Sequence, residues 1–113
     1  MDAEAIRDVF RGLGPIHIRR MFGGQGVYSG DLMFALVADG ELYLKVDDES
    51  RDEFAIAGSR AFVYDKDGKP IAMSYWLLPD QALDDPAEAS RWARLALAAA
   101  RRAASRKKPR QRA

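Results

Sequence analysis

The sequence predicts one α+β domain: a two-layer, five-stranded antiparallel sheet with helices on one face, in the order α-β-β-β-α-β-β-α. Three observations lead there. The spacing of apolar residues switches along the chain between a helical period and strict alternation. The connections are short and carry the Gly and Asp residues that tight hairpins need. The 113 residues, 48% of them hydrophobic, suffice for one core without disulfide staples. Residues 1–103 are expected to form this domain and residues 104–113 a basic, disordered tail.

Each element has its own signal. Ile6, Val9, Phe10 and Leu13 fall on one face of a short helix over residues 3–13. Asp2 is placed to cap its start, and Gly12, Gly14 and Pro15 stop it. Ile16-His17-Ile18 alternates as a strand does. Gly26-Val27-Tyr28 then leads to a turn at Ser29-Gly30-Asp31, and the unbroken apolar run Leu32–Ala38 reads as a buried strand. Asp39-Gly40 separates it from the alternating Leu42, Leu44 and Val46, which is a strong two-residue hairpin signal. Asp47-Asp48-Glu49-Ser50 opens a second helix that ends at Gly58, with Phe54 as its anchor to the sheet. Residues 61–64 and 71–77 form a second hairpin around Asp65–Pro70. Asp85, Pro86 and Glu88 begin the last helix, with a capping carboxylate, a preset first turn and a capping box. Trp92, Leu95, Ala96, Ala99 and Ala103 form its apolar stripe, with Arg91, Arg94, Arg101 and Arg102 off it or at its edge. The pattern fades near Ser105, and Pro109 forbids a regular helix across the tail.

Charge is unevenly distributed. Residues 101–113 hold seven of the 18 basic residues and none of the 17 acids, which leaves the first hundred residues at −6. Such asymmetry suits a tail that meets an anionic partner, or one that merely solubilises or folds back on its own acidic body. There is no cysteine, so disulfides and thiolate chemistry are out, in keeping with a reducing compartment. No apolar run approaches the length that spans a bilayer, and the acidic N-terminus is unlike a secretory signal. A cytoplasmic protein is expected.

Catalytic sets are not evident. His17 is the only histidine, which excludes a multi-histidine metal site, and no Gly-x-Ser-x-Gly elbow accompanies it. Asp47, Asp48 and Glu49 read better as helix caps than as cation ligands. Asp65, Asp67 and Gly68 resemble the opening of a calcium loop, but Pro70 and Ile71 stand where oxygen ligands belong. Gly24-Gln25-Gly26 resembles part of a phosphate loop, yet a strand follows it instead of a helix, so a bulge or turn is the better reading. No enzymatic activity, cofactor or metal is expected.

The segment Arg19-Arg20-Met21-Phe22-Gly23-Gly24, continued by Gly26-Val27-Tyr28, resembles the signature of the TfoX/Sxy N-terminal domain family. Met33–Ala38, Leu42–Asp47, Met73-Ser74-Tyr75-Trp76 and the stretch from Asp84-Asp85-Pro86 to Trp92-Ala93 are similar to it in the same order, over about residues 5–103. The resemblance implies a two-layer antiparallel α+β domain and a role in bacterial gene regulation. Two-domain members of the family regulate natural competence together with a transcription activator at promoters. This chain ends soon after the first domain, so a stand-alone regulator or adaptor is expected.

Two sets of site residues follow. Arg101, Arg102, Arg106, Lys107, Lys108, Arg110 and Arg112 would contact DNA phosphates, with specificity supplied by a partner protein. Arg19, Arg20, Phe22, Gly23 and Gly24 would form a partner-binding surface, with an open sheet edge as a docking or homodimer surface. Adjacent strand residues point to opposite faces, so Arg19 and Arg20 are not expected to serve one site. The alternative function is a protein-interaction or adaptor module without direct DNA binding.

Overall fold

The computed structural model describes residues 1–21 and 23–107. It contains α1 (Ala3–Val9), β1 (His17–Met21), β2 (Gly24–Ser29), β3 (Leu32–Ala38), β4 (Glu41–Lys45), α2 (Arg51–Ile56), β5 (Ala61–Lys66), β6 (Lys69–Leu77), a short 3-10 turn (Asp80–Ala82) and α3 (Pro86–Lys107). The fold is α+β with an antiparallel sheet, as the periodicity predicts. The sheet has six strands, not five, in the order β1-β2-β3-β4-β6-β5. The additional strand is β2. Its sequence GQGVYS looks like a turn because glycine weakens strands, yet it pairs along both edges, with β1 and with β3.

The register explains the two faces. One row across the sheet runs Ile18, Val27, Ala35, Leu44, Trp76 and Ala61. The adjacent row runs Arg19, Gly26, Leu36, Tyr43 and Leu77. Directly paired residues share a face and successive rows alternate, so the first row looks toward the helices. Val27, Ala35 and Leu44 are fully buried there, with Ile18 and Trp76 packed against the same core. A register shift opposite Val27 and Tyr28 leaves Phe34 without a partner on β2. That shift lets Phe34 join the helical face beside Ala35, where its ring meets Phe10 edge-on at 5.2 Å.

Helices α1 and α3 start where the caps predict, although α1 ends at Val9 and not at residue 13. Helix α2 begins later than the acidic run suggests, at Arg51, with Ser50 in the cap position and no side-chain cap bond. Asp2 accepts from the Ala5 N–H at 2.9 Å, and Asp85 accepts from Ala87 and Glu88 at 3.1 and 3.2 Å. The Glu88 carboxylate itself turns to Arg91, 3.5 Å away. Small residues on α3 (Ala89, Ala93, Ala96, Ala99) are completely buried, which lets the helix lie close on β3 and β4. Phe54 of α2 is anchored on Trp92 of α3, ring centroids 4.7 Å apart. Both Asp-Gly turns have positive φ at each residue, 52° and 76° for Asp39-Gly40 and 52° and 80° for Asp67-Gly68. These are the values of a type I′ hairpin, whose twist matches that of the strands. Asp67 and Gly68 thus belong to a hairpin turn.

Candidate functional site

Arg19 and Arg20 lie on β1, at one end of the sheet, and both are exposed. They point to opposite faces, as alternation requires. Arg19 lies over the Tyr28 ring, its guanidinium carbon 5.3 Å from the centroid, on the face away from the helices. Arg20 instead lines an open depression with Met21, Gly23, Gly24 and Gln25. Phe22 lies outside the described residues.

The three glycines have three separate physical causes. Gly23 turns the chain between β1 and β2 at φ 77°, a left-handed conformation that costs other residues about 1 kcal/mol or more. Gly24 leaves no room for a side chain: a Cβ there would sit 2.1 Å from the Val37 carbonyl oxygen on β3. Gly26 forms a floor under Met21, Met33 and Tyr28, whose atoms lie 3.1–3.2 Å from where its Cβ would be. Turn geometry at Gly23 and sheet packing at Gly24 and Gly26 therefore account for the three glycines. Further along the same face the Tyr75 hydroxyl reaches the Met33 carbonyl at 3.5 Å. Burial, and secondarily the nearby Tyr28, push the Tyr75 hydroxyl up to about 12.

The basic residues at the other site divide into two kinds. Helix α3 continues to Lys107, so residues 104–107 are helical and belong to the same element as the domain's last helix. Arg101 and Arg106 are exposed on it. Arg102 is not available in the same way. Its Nε donates to Asp47 Oδ2 at 2.6 Å and its Nη2 to Asp47 Oδ1 at 2.9 Å, with Glu49 3.3 Å from Nε. This fork-to-carboxylate pair is the strong geometry for arginine. Asp47 also accepts from the N–H groups of Glu49 and Ser50. The bonded guanidinium, opposed in part by burial, holds the Asp47 carboxyl down at about 2. Its signal in the sequence was the acidic run 47–49, read there only as a helix cap. Lys108, Arg110 and Arg112 lie outside the described residues, as does the Lys107 side chain.

His17 is exposed on β1. Among the described residues there is no cluster of three or more His, Cys, Asp or Glu placed to hold a metal ion, and no helix is long and apolar enough to cross a membrane.

These features define an antiparallel α+β domain with a glycine-shaped β1–β2 hairpin at one end and a cationic helix end at another. The chain belongs to the TfoX N-terminal domain family, whose sequence pattern matches residues 8–100. It is similar to the DNA transformation protein TfoX1 of Aliivibrio fischeri, 36% identical over 64 residues, which is 57% of this chain and 31% of that protein. It is also similar to Protein Sxy of Escherichia coli, 28% identical over 100 residues, which is 88% of this chain and 48% of that protein. The chain spans less than half the length of either relative.

Proposed function

We propose that this chain is a non-enzymatic regulatory protein of the competence-regulator type, acting with a partner protein at DNA. Family membership carries the reading, and the relative named for DNA transformation points the same way. The cationic end of α3 supplies a physical route to the polyanion. Arg101 and Arg106 are exposed on it, with Arg94 exposed further back along the helix, while the first hundred residues carry −6 and repel a duplex. Sequence choice then falls to the partner, because phosphate contacts position a protein without reading bases. The β1–β2 hairpin is the partner-facing surface in this reading, with Arg19 held over Tyr28 and Arg20 at the rim of the depression.

The test is duplex binding across a salt series by the intact chain and by an Arg101→Glu/Arg106→Glu variant. Binding that weakens steeply with salt, and weakens further in the variant, supports direct contact. Equal binding by both proteins removes the helix end from the account. Absence of binding at low salt, with a partner still captured through Arg20 and lost in Arg20→Ala, favours the adaptor reading.

A further inference from the structure

We propose that the outer edge of β5 pairs antiparallel with the same edge of a second copy of this chain, about a two-fold axis at Val63. The inference does not depend on DNA binding.

The strand order leaves β1 and β5 at the ends. Strand β6 adds a third open edge. It pairs with β4 only through Tyr75, Trp76 and Leu77, next to a bond from the Val46 N–H to the Ser74 carbonyl. Its first half, with β5, therefore extends beyond the body as a two-stranded arm. Natural sheets guard such edges with charge or proline. Strand β1 carries Arg19 and Arg20 in a run of five residues, so a second copy would bring guanidinium groups together. The free side of β6 carries Pro70, which cannot donate to a new strand. The segment Ala61-Phe62-Val63-Tyr64 of β5 has no proline and no charge.

The surface of the arm is apolar where an exposed hairpin would ordinarily be polar. Val63, Tyr64, Ile71 and Met73 are 54%, 49%, 42% and 37% exposed, on both faces of the two strands. Its tip charges are Asp65, Lys66, Asp67 and Lys69, which sum to zero, so two arms do not repel as two copies of β1 would.

The turn sets the phase of the edge. In a two-residue hairpin the flanking residues, here Lys66 and Lys69, form the bonded pair, and bonded and non-bonded pairs alternate from there as far as Val63, beyond which the register shifts toward Ala61. Asp65 opposite Pro70 and Val63 opposite Ala72 are then non-bonded, which suits a proline. The N–H and C=O of Val63 and Asp65 consequently point outward. A two-fold axis at Val63 sets Val63 against Val63 on one face and Phe62 against Tyr64 on the other, a favourable cross-strand aromatic pair. Arg60 and Lys66 meet only at the ends, in solvent. A ladder this short gives a contact at the small end of the specific range, so the dimer is weak and depends on concentration.

The chain has no cysteine, so one introduced thiol reports unambiguously. Opposed residues of a bonded antiparallel pair have Cα atoms ~5.5 Å apart, within disulfide reach. Under oxidised glutathione, Val63→Cys should give a disulfide-linked dimer much faster than Arg19→Cys on the other edge. The apparent mass of the unmodified chain in sedimentation equilibrium should rise with concentration. Val63→Lys, checked by circular dichroism for an intact fold, should stay monomeric. The proposal is overturned if the unmodified chain remains monomeric up to its solubility limit. It is equally overturned if a dimer persists in Val63→Lys, or if Val63→Cys cross-links no faster than Arg19→Cys.

Discussion

At the scale of single residues, the glycines of the β1–β2 hairpin separate shape from contact. Gly24→Ala should destabilise the domain by about 3 kcal/mol, because the new Cβ collides with backbone and cannot be accommodated by a rotamer. Gly23→Ala meets open space and should cost only about 1 kcal/mol of backbone strain. Urea titrations of both variants check this. Full stability in Gly24→Ala with loss of partner binding would instead make that glycine part of a contact surface. The Ser90 Oγ is buried without a hydrogen-bond partner among the described residues. A Cβ on Gly12 would lie 2.8 Å from that oxygen. Ser90→Ala should therefore stabilise the fold by about 1 kcal/mol, and Gly12→Ala should cost less in that background than alone. The need for glycines near Phe22 was legible in the sequence. Which neighbour excludes each Cβ was not, because Val37 and Met33 come from another strand.

At the scale of elements, the Asp47–Arg102 pair fastens the end of α3 to the turn after β4. The Asp47 side chain is 11% exposed and that of Arg102 29%, so the pair is screened less than a surface pair. The folded Asp47 carboxyl sits at about 2 against an ordinary 3.8. Its contribution is therefore complete above roughly pH 4 and disappears as pH falls through about 2. Arg102→Ala should lose on the order of 2 kcal/mol at neutral pH. The gap from the unmodified protein should close on acidification toward pH 2. Melting temperatures from pH 2 to 7 provide the measurement, and a gap independent of pH would show that the loss is one of packing. Arg102→Lys should recover only part of the stability, since an ammonium cannot supply the two-pronged bond. Strands with clean alternation and the capping carboxylates of α1 and α3 could be found from sequence, and the Asp39-Gly40 hairpin was among the plainest features. The second hairpin was visible only with a six-residue link, whereas its strands run to Lys66 and from Lys69 and leave Asp67-Gly68 as the turn. Strand β2 was concealed because two of its six residues are glycines that serve close packing. The pairing of residues 47 and 102 lies 55 positions apart, beyond any local pattern.

At the scale of the whole molecule, the separation of an acidic body from a basic end is reduced once Arg102 is accounted for. Six of the seven cations in residues 101–113 remain beyond that pair. If all six neutralise phosphates, the logarithm of the DNA affinity should fall with the logarithm of salt at a slope of about −5. Arg102→Ala should leave that slope unchanged while Arg101→Ala makes it shallower, and the reverse result would mean the internal pair opens on DNA. The charge segregation was visible in the sequence; the assignment of one guanidinium to the domain's own carboxylate required the fold. The strand order has another consequence. Strands β1 to β4 are each paired with their neighbour in the chain, so they can zip together as soon as they are synthesised, at small loop-closure cost. Their oily side, met early only by α1 and the adjoining Phe10, then stays largely uncovered until ribosomes have made the final helix some forty residues later. During that interval the nascent chain presents the surface on which chaperones act, and a stop codon just before Pro86 would yield an insoluble product.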